Sequence, residues 1–174
     1  MEHITRILGT GALAVVMVMT GSPAPAQDPG VSGVFVSADL GTDLIDKAIE
    51  TAIAKMNFVT RPIARGRLKK TNPRYQRIQI SREGAQIAVQ FDQRKPVLMP
   101  ADGRPVKWTR EDGEIFDVSA HSQGSQLIQT FKAEDGQRVN QFTLHPDGSL
   151  TLDVTVSSPQ LPAPVHYVLT YTRQ

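Results

Sequence analysis

Apolar and polar residues alternate along most of the last hundred residues of this 174-residue chain. In segment 149–157 every second residue is Leu or Val, and in segment 164–172 every second residue is Val, Tyr or Leu. Successive side chains of a strand point to opposite faces, so the pattern predicts strands with one apolar and one polar face. This alternation is typical of antiparallel sheets, whereas the buried strands of parallel sheets are continuously apolar.

Turn signals separate these segments at nearly even intervals. From Gly103 onward, successive glycines of these signals lie 10, 11, 12 and 12 residues apart. Asp-Gly is common in tight hairpins because glycine adopts positive φ without steric cost. The six pairs are Glu83-Gly84, Asp102-Gly103, Asp112-Gly113, Gln123-Gly124, Asp135-Gly136 and Asp147-Gly148.

The two patterns together predict a mainly β fold with an antiparallel up-and-down meander of eight or nine strands. A flat sheet of this kind would expose two edges, so we expect it to be closed into a barrel or strongly curved. The predicted strands are Tyr75–Ser81, Ala85–Asp92, Lys95–Met99, Arg104–Arg110, Glu114–His121, Ser125–Ala133, Gln137–His145, Ser149–Ser157 and Pro164–Thr172.

One or two helices are predicted before the strands. Thr42 is the expected N-cap of the first, and its apolar stripe consists of Ile45, Ile49, Ala52, Ile53 and Met56. A second short helix over Arg61–Asn72 is less clear, because Pro62 suits a first turn whereas Gly66 weakens a helix. Further upstream, Gly33–Ser37 reads as a short strand or an extended lead-in.

The N-terminus has the order of a secretory signal. A mostly apolar segment, residues 7–20, is followed by small residues ending in Ala24-Pro25-Ala26. The segment is shorter than the roughly 20 residues that span a bilayer, so we expect cleavage after Ala26 rather than a membrane anchor. The expected organisation is residues 1–26 as a cleaved signal, 27–40 as a flexible or extended lead-in, 41–72 as a helical segment with a basic connector, and 73–174 as the barrel.

The chain contains no cysteine, so neither disulfides nor thiolates contribute to its fold or chemistry. Cleavage of 26 residues from 174 leaves 148, which suffices for one domain with a core. The short signal is typical of bacteria, and we expect a periplasmic or secreted protein.

Basic residues are concentrated in a segment that runs from the second predicted helix through the first predicted barrel strand. Residues 61–82 hold eight Lys or Arg and no acidic residue, although the net charge of the whole chain is only +2. This stretch could bind an anionic envelope surface, such as lipid head groups, lipopolysaccharide phosphates or polyanionic glycans. The alternative is a solvated surface that maintains solubility. The candidate anion-binding residues are Arg61, Arg65, Arg67, Lys69 and Lys70.

No catalytic, metal-binding or cofactor motif stands out. Asp117, Ser119 and His121 alternate on one predicted strand. Asp117 and His121 would lie about 13 Å apart, which is too far for the hydrogen-bond contacts of a catalytic triad. The histidines lack zinc-site spacing, and the basic stretch offers only Tyr75 for base stacking, so no nucleic-acid partner is predicted. We therefore expect no cofactor, and we favour a binding protein over an enzyme.

The meander over residues 75–174 resembles the lipocalin-like, or calycin, barrels in architecture. The lipocalin Gly-x-Trp signature is absent; Gly33-Val34-Phe35 is the nearest equivalent and precedes a predicted helix. The resemblance implies a barrel interior that side chains fill or that holds one small ligand. It transfers no binding residue to this chain.

The leading hypothesis is a non-catalytic binding protein that holds a small apolar or amphipathic ligand, such as a lipid, inside the barrel. Gln129 and Asn140 share faces with apolar residues, so inside the barrel they would need polar partners. The candidate ligand contacts are Trp108, Phe116, Gln129, Phe131, Asn140, Phe142, Tyr167 and Tyr171. The alternatives are a cell-envelope protein that docks to anionic surfaces or a protein partner through its basic segment, and an integral outer-membrane barrel, which the missing aromatic girdles disfavour.

Overall fold

The computed structural model describes residues 30–38 and 43–174. The predicted signal sequence and the predicted N-cap Thr42 lie outside these residues. The elements are β1 (Gly33–Ser37), α1 (Asp43–Ile53), α2 (Arg61–Thr71), β2 (Arg77–Glu83), β3 (Gln86–Phe91), β4 (Val97–Pro100), β5 (Val106–Thr109), β6 (Ile115–Gln123), β7 (Gln126–Lys132), β8 (Gln137–Leu144), β9 (Leu150–Ser157) and β10 (Val165–Arg173).

All ten strands form one antiparallel sheet in the order β4-β3-β2-β1-β10-β9-β8-β7-β6-β5. The mainly β meander predicted from the sequence is confirmed, with ten strands rather than eight or nine. The additional strand is β1, which pairs with β10 on one side and β2 on the other. Its five residues bury only Phe35, so its pattern is too short to distinguish a strand from a lead-in.

The sheet curves into a nearly closed barrel whose edge strands are β4 and β5. These strands approach each other, but no backbone hydrogen-bond ladder joins them in the described sheet. The connectivity places α1, α2 and the β3–β4, β5–β6, β7–β8 and β9–β10 connections at one end, which we call the helical end.

Short turns connect the strands at the opposite end, as the turn signals predicted. These turns contain Gly84, Gly103, Gly124 and Gly148. Gly148 has φ +84°, a conformation that a side chain would strain. The Asp147 carboxylate accepts hydrogen bonds from the Ser149 backbone N–H at 2.9 Å and hydroxyl at 2.7 Å. Asp147 therefore bonds to its own turn, as expected for Asx geometry.

The barrel interior is tightly packed toward the closed end. Phe142, Leu127 and Leu152 are almost completely buried there, together with aliphatic side chains from β2, β3 and β4. On α1, the predicted stripe is buried at Ile45, Ile49, Ala52 and Ile53 and packs on β10.

Helix α2 buries much less of its surface, and Leu68 is its only buried residue. It packs on α1 and is held there by two exposed ion pairs, Arg65–Glu50 at 2.5 Å and Lys69–Asp46 at 3.0 Å. No helix in the described part of the chain is long and apolar enough to cross a bilayer. The lightly packed α2 lies over the helical end of the barrel, where the core is incomplete.

Candidate ligand-binding site

A pocket of about 850 Å³ occupies the helical end, between α2 and the inner walls of the barrel. Its volume lies within the range of pockets that hold single small molecules. One face of α2 forms its roof, because Ile63, Arg67 and Thr71 recur at helical spacing and all line it. The walls come from β3–β9 and their connections at this end.

Three aromatic rings form one wall of the pocket. The ring centroid of Trp108 lies 5.9 Å from that of Phe116 and 5.5 Å from that of Phe131, and the Phe116 and Phe131 centroids are 6.2 Å apart. Their tilted and edge-to-face arrangements are those that aromatic pairs prefer. Neighbouring strands place them together, since Trp108 is opposite Phe116 in the β5–β6 register. This wall is suited to contact with an apolar group.

A second aromatic pair lies at the β2–β3 side. The rings of Tyr75 and Phe91 are 4.3 Å apart, and the Arg94 guanidinium lies 5.5 Å from the Tyr75 ring centroid. Both rings line the pocket, so apolar surface faces it from two sides.

One side of the pocket is polar and centres on Arg138, the second residue of β8, where the C-terminal end of α2 meets the barrel. Its guanidinium donates hydrogen bonds to Asn140 Oδ1 at 2.8 Å, Asn72 Oδ1 at 3.0 Å, the Tyr167 hydroxyl at 3.3 Å and the Thr71 carbonyl at 3.3 Å. Two of these acceptors belong to the C-terminal end of α2 and its cap. The negative end of the helix dipole thus faces the guanidinium.

Below Arg138, two buried amides continue the polar chain. Asn140 Nδ2 donates to Gln129 Oε1 at 3.0 Å, and Gln129 Nε2 contacts the Met99 sulfur at 3.5 Å. Gln129 and Asn140 are 0% and 1% exposed, so these partners satisfy groups that would otherwise be costly to bury.

Arg138 has no carboxylate partner in the described part of the chain. Arg110, which also lines the pocket, is different: it pairs with Asp112 at 2.8 Å and with Glu114, and its guanidinium lies 5.1 Å from the Phe116 ring. The Asp112 carboxylate raises the pKa of Arg110. Of these two cations, only the half-buried Arg138 has hydrogen-bond acceptors that are all uncharged.

Tyr167 supports Arg138 from beneath. Its hydroxyl donates to Asn72 Oδ1 at 3.1 Å, and burial raises its pKa, an effect that the nearby Arg138 charge partly offsets. Tyr167 is therefore a neutral phenol at physiological pH. It can accept from Arg138 without neutralising its charge.

The structure places the predicted ligand contacts in two groups. Trp108, Phe116, Phe131 and Asn140 line the pocket. The other four are buried behind the lining, in the polar network around Arg138 or in the packed core: Gln129, Phe142, Tyr167 and Tyr171. Burial pushes the pKa of Tyr171 upward, and its hydroxyl donates to the Tyr75 carbonyl at 3.2 Å, so it positions a pocket residue.

The predicted anion-binding residues also divide. Arg65 and Lys69 pair with acidic residues of α1, and Arg61 donates to the carbonyls of Ala54 and Met56 beyond the end of α1. Arg67 and Lys70 are exposed on α2, and only Arg67 lines the pocket.

The site residues predicted from the sequence did not include Arg138 or Asn72, and the role of α2 as the roof of the pocket was not predicted. Arg138 could have been identified, because it precedes Asn140 and Phe142 at intervals of two and shares their inward face. Asn72 carried no such signal, since its role depends on where the end of α2 meets β8.

Comparisons with known proteins concern the fold. No protein-family model matches the sequence, and a search of curated proteins finds no match. Among solved structures, the REP1-NXSQ fatty acid transporter matches with a TM-score of 0.50 and 15% identity, over 82% of this chain and 95% of its own. A zebrafish ileal bile acid-binding protein complexed with cholic acid matches with a TM-score of 0.50 and 12% identity, over 82% of this chain and 98% of its own.

A Schistosoma mansoni fatty acid binding protein in complex with arachidonic acid gives a TM-score of 0.50 and 15% identity, over 82% of this chain and 95% of its own. At these identities the likeness shows the fold alone. The resemblance in architecture to calycin-type barrels is confirmed, because this chain forms a nearly closed antiparallel barrel whose fold is similar to those of these solved structures.

Proposed function

We propose that this protein is a non-catalytic binding protein that holds one amphipathic molecule, with an apolar body and a single anionic head group. The observation that carries the proposal is Arg138, a half-buried arginine with no carboxylate partner among the described residues, in a pocket that also has aromatic walls. Four of the five guanidinium N–H groups of Arg138 already donate to protein acceptors, and the fifth is left for a charge-assisted hydrogen bond to a ligand. Such bonds are strongest to anionic oxygens, so a carboxylate is the favoured head group.

The apolar body would lie against the Trp108, Phe116 and Phe131 rings, with the head group at Arg138. The structurally similar proteins support this assignment, because two of those compared are described as a fatty acid transporter and a fatty acid binding protein. A long-chain fatty acid such as oleate is therefore the appropriate probe.

The direct test is an oleate titration of the purified protein, followed through the fluorescence of its single tryptophan. Trp108 lines the pocket, so we expect a saturable change, and native mass spectrometry should show one oleate per chain. Hexanoate, with the same head group and little apolar body, is the control and should bind far more weakly. Absence of saturable oleate binding by either method would refute the proposed function.

We further propose that the protein acts in the periplasm or outside the cell after cleavage of its signal near Ala26. The support is the signal-like order of the first 26 residues. Expression in a bacterium, followed by intact-mass analysis of the periplasmic and culture fractions, should give a chain that begins at Gln27. An uncleaved chain confined to the cytoplasm would contradict this location.

A further inference from the structure

Three apolar side chains are exposed where α1 meets α2. Phe58 is 86% exposed, and Val59 and Ile63 are each 60% exposed. Phe58 and Val59 belong to the turn just before α2 and Ile63 lies in the first turn of α2, so all three are close to the N-terminal end of this helix. We call these three residues the apolar tip.

The backbone holds the apolar tip in this exposed position. The Asn57 side-chain oxygen accepts hydrogen bonds from the Val59 N–H at 3.0 Å, and from the Thr60 N–H at 2.9 Å and hydroxyl at 3.0 Å. Arg61 reaches back to the Ala54 carbonyl at 2.8 Å. These bonds define a tight turn that keeps Phe58 and Val59 away from the core.

Cations without carboxylate partners border the apolar tip. Arg67 follows Ile63 by one helical turn, and Lys70 follows Arg67 by three residues. In the described part of the chain, neither forms an ion pair, unlike their neighbours Arg65 and Lys69. Across the mouth of the pocket, the β3–β4 turn contributes Arg94 and Lys95.

The remaining rim of the pocket has a small acidic excess, although Arg110 and Arg138 also line it. Glu111 and Glu114 belong to the β5–β6 connection, and Asp135 belongs to the β7–β8 connection. This asymmetry indicates which side would approach an anionic surface. The α2 and β3–β4 side would be attracted more strongly than the β5–β8 side.

We propose that the apolar tip, with Arg67 and Lys70, docks on an anionic lipid bilayer. A few exposed apolar side chains with adjacent cations suit the boundary between head groups and acyl chains. A stable protein interface needs roughly 20–30 residues on each side, far more than this tip provides. Ile63 and Arg67 also line the pocket, so a docked protein would present the pocket mouth to the lipid phase.

Exchange of an amphipathic ligand with the bilayer rests on the proposed function, but docking itself does not. The test therefore uses ligand-free protein in flotation with vesicles of phosphatidylcholine, with or without phosphatidylglycerol. We expect flotation only with the anionic vesicles, and a steep loss between about 50 mM and 500 mM salt as the charges are screened. Equal flotation with both vesicle types, or none with either, would overturn the proposal.

Paired variants test the two components of the surface. The double change F58S/V59S should reduce vesicle binding at least tenfold, because it removes two apolar side chains that would leave water on docking. The control is I115S: Ile115 is 59% exposed at the start of β6, on the acidic side of the same end. Similarly, R67E/K70E should reduce binding at least tenfold, whereas K132E on the β7 side should not.

Oleate titration of the same variants separates the two proposals. F58S/V59S should bind oleate as the wild type does, since neither residue lines the pocket. If all variants float equally well, the docking surface is wrong whatever the result of the oleate titration. If the tip variants lose flotation while no protein binds oleate, docking stands and the ligand proposal fails.

Discussion

Arg138 concentrates the chemistry of the pocket in one side chain, because its charge meets only neutral acceptors and a helix end. The sequence indicated its neighbours on the same face, Asn140 and Phe142, as interior residues. The same alternation places Arg138 on the inner face, but it does not indicate the acceptors of its charge, because these depend on where the end of α2 meets β8.

The change R138M should weaken oleate binding by tenfold or more, since a hydrogen bond to a charged group contributes about 1.5–3 kcal/mol. Binding of oleyl alcohol, which has the same chain and no carboxylate, should change much less. Calorimetric titration with both ligands measures the difference. An equal loss for acid and alcohol would show that Arg138 supports the pocket without contacting a carboxylate.

Asp112 provides a second prediction at the residue scale. Its hydrogen bonds from Arg110 lower its pKa from 3.8 to about 2. Because the folded-state pKa is lowered, the stabilisation is present above about pH 4 and is lost as the pH falls toward 2. Denaturant unfolding of D112N should therefore depend less on pH in this window than unfolding of the wild type.

The control for that experiment is E134Q. Glu134 is exposed on the neighbouring β7–β8 connection, and in the described part of the chain no basic side chain pairs with it. Its neutralisation should leave the acid dependence nearly unchanged. Identical pH profiles for D112N and the wild type would contradict the assigned role of the Arg110 pair.

Among the elements, α1 was predictable and α2 was less so, for a physical reason. The α1 stripe is buried on the sheet at four positions, so the sequence carries a complete amphipathic pattern. The roof helix α2 lies over a pocket and buries only Leu68. Without a packed face there is no strong periodicity, and Gly66 weakens the remaining signal.

Asn72 anchors the C-terminal end of α2 to the barrel. Its side-chain oxygen accepts from Arg138 and Tyr167, and its Nδ2 donates to the Leu68 carbonyl at 2.9 Å. N72A should cost about 1–3 kcal/mol, because it leaves these buried groups short of partners. Hydrogen exchange should accelerate across α2 more than across α1.

The control Q93A alters an exposed amide in the β3–β4 turn and should leave both helices unchanged. Uniform acceleration of exchange in all elements of N72A would indicate general destabilisation. Unchanged exchange in α2 would show that the ion pairs with α1, rather than Asn72, hold the helix in place.

For the whole molecule, the barrel and its antiparallel order could be predicted. The position of the pocket within the barrel could not. Alternation and turn spacing are local properties, and they fixed nine of the ten strands. The division of the interior into a packed closed end and an open helical end depends on which strands face one another. Phe142 and Phe131 carry the same signal in the sequence, yet the first is in the core and the second lines the pocket.

Ligand binding should stabilise the whole barrel by mass action. At a free oleate concentration about 100 times the Kd, the free energy of unfolding should rise by about 2.7 kcal/mol. Differential scanning calorimetry should show this as an increase in Tm, and the increase should be much smaller for R138M. An unchanged Tm for the wild type at saturating oleate would indicate that no folded-state site is occupied.

The most direct measurement is a crystal structure of the protein with oleate. The account predicts one molecule in the pocket, with its carboxylate within hydrogen-bond distance of Arg138 and its chain against Trp108, Phe116 and Phe131. An oleate carboxylate at Arg94 or Lys95 on the rim, with Arg138 bonded only to its protein partners, would contradict the central claim.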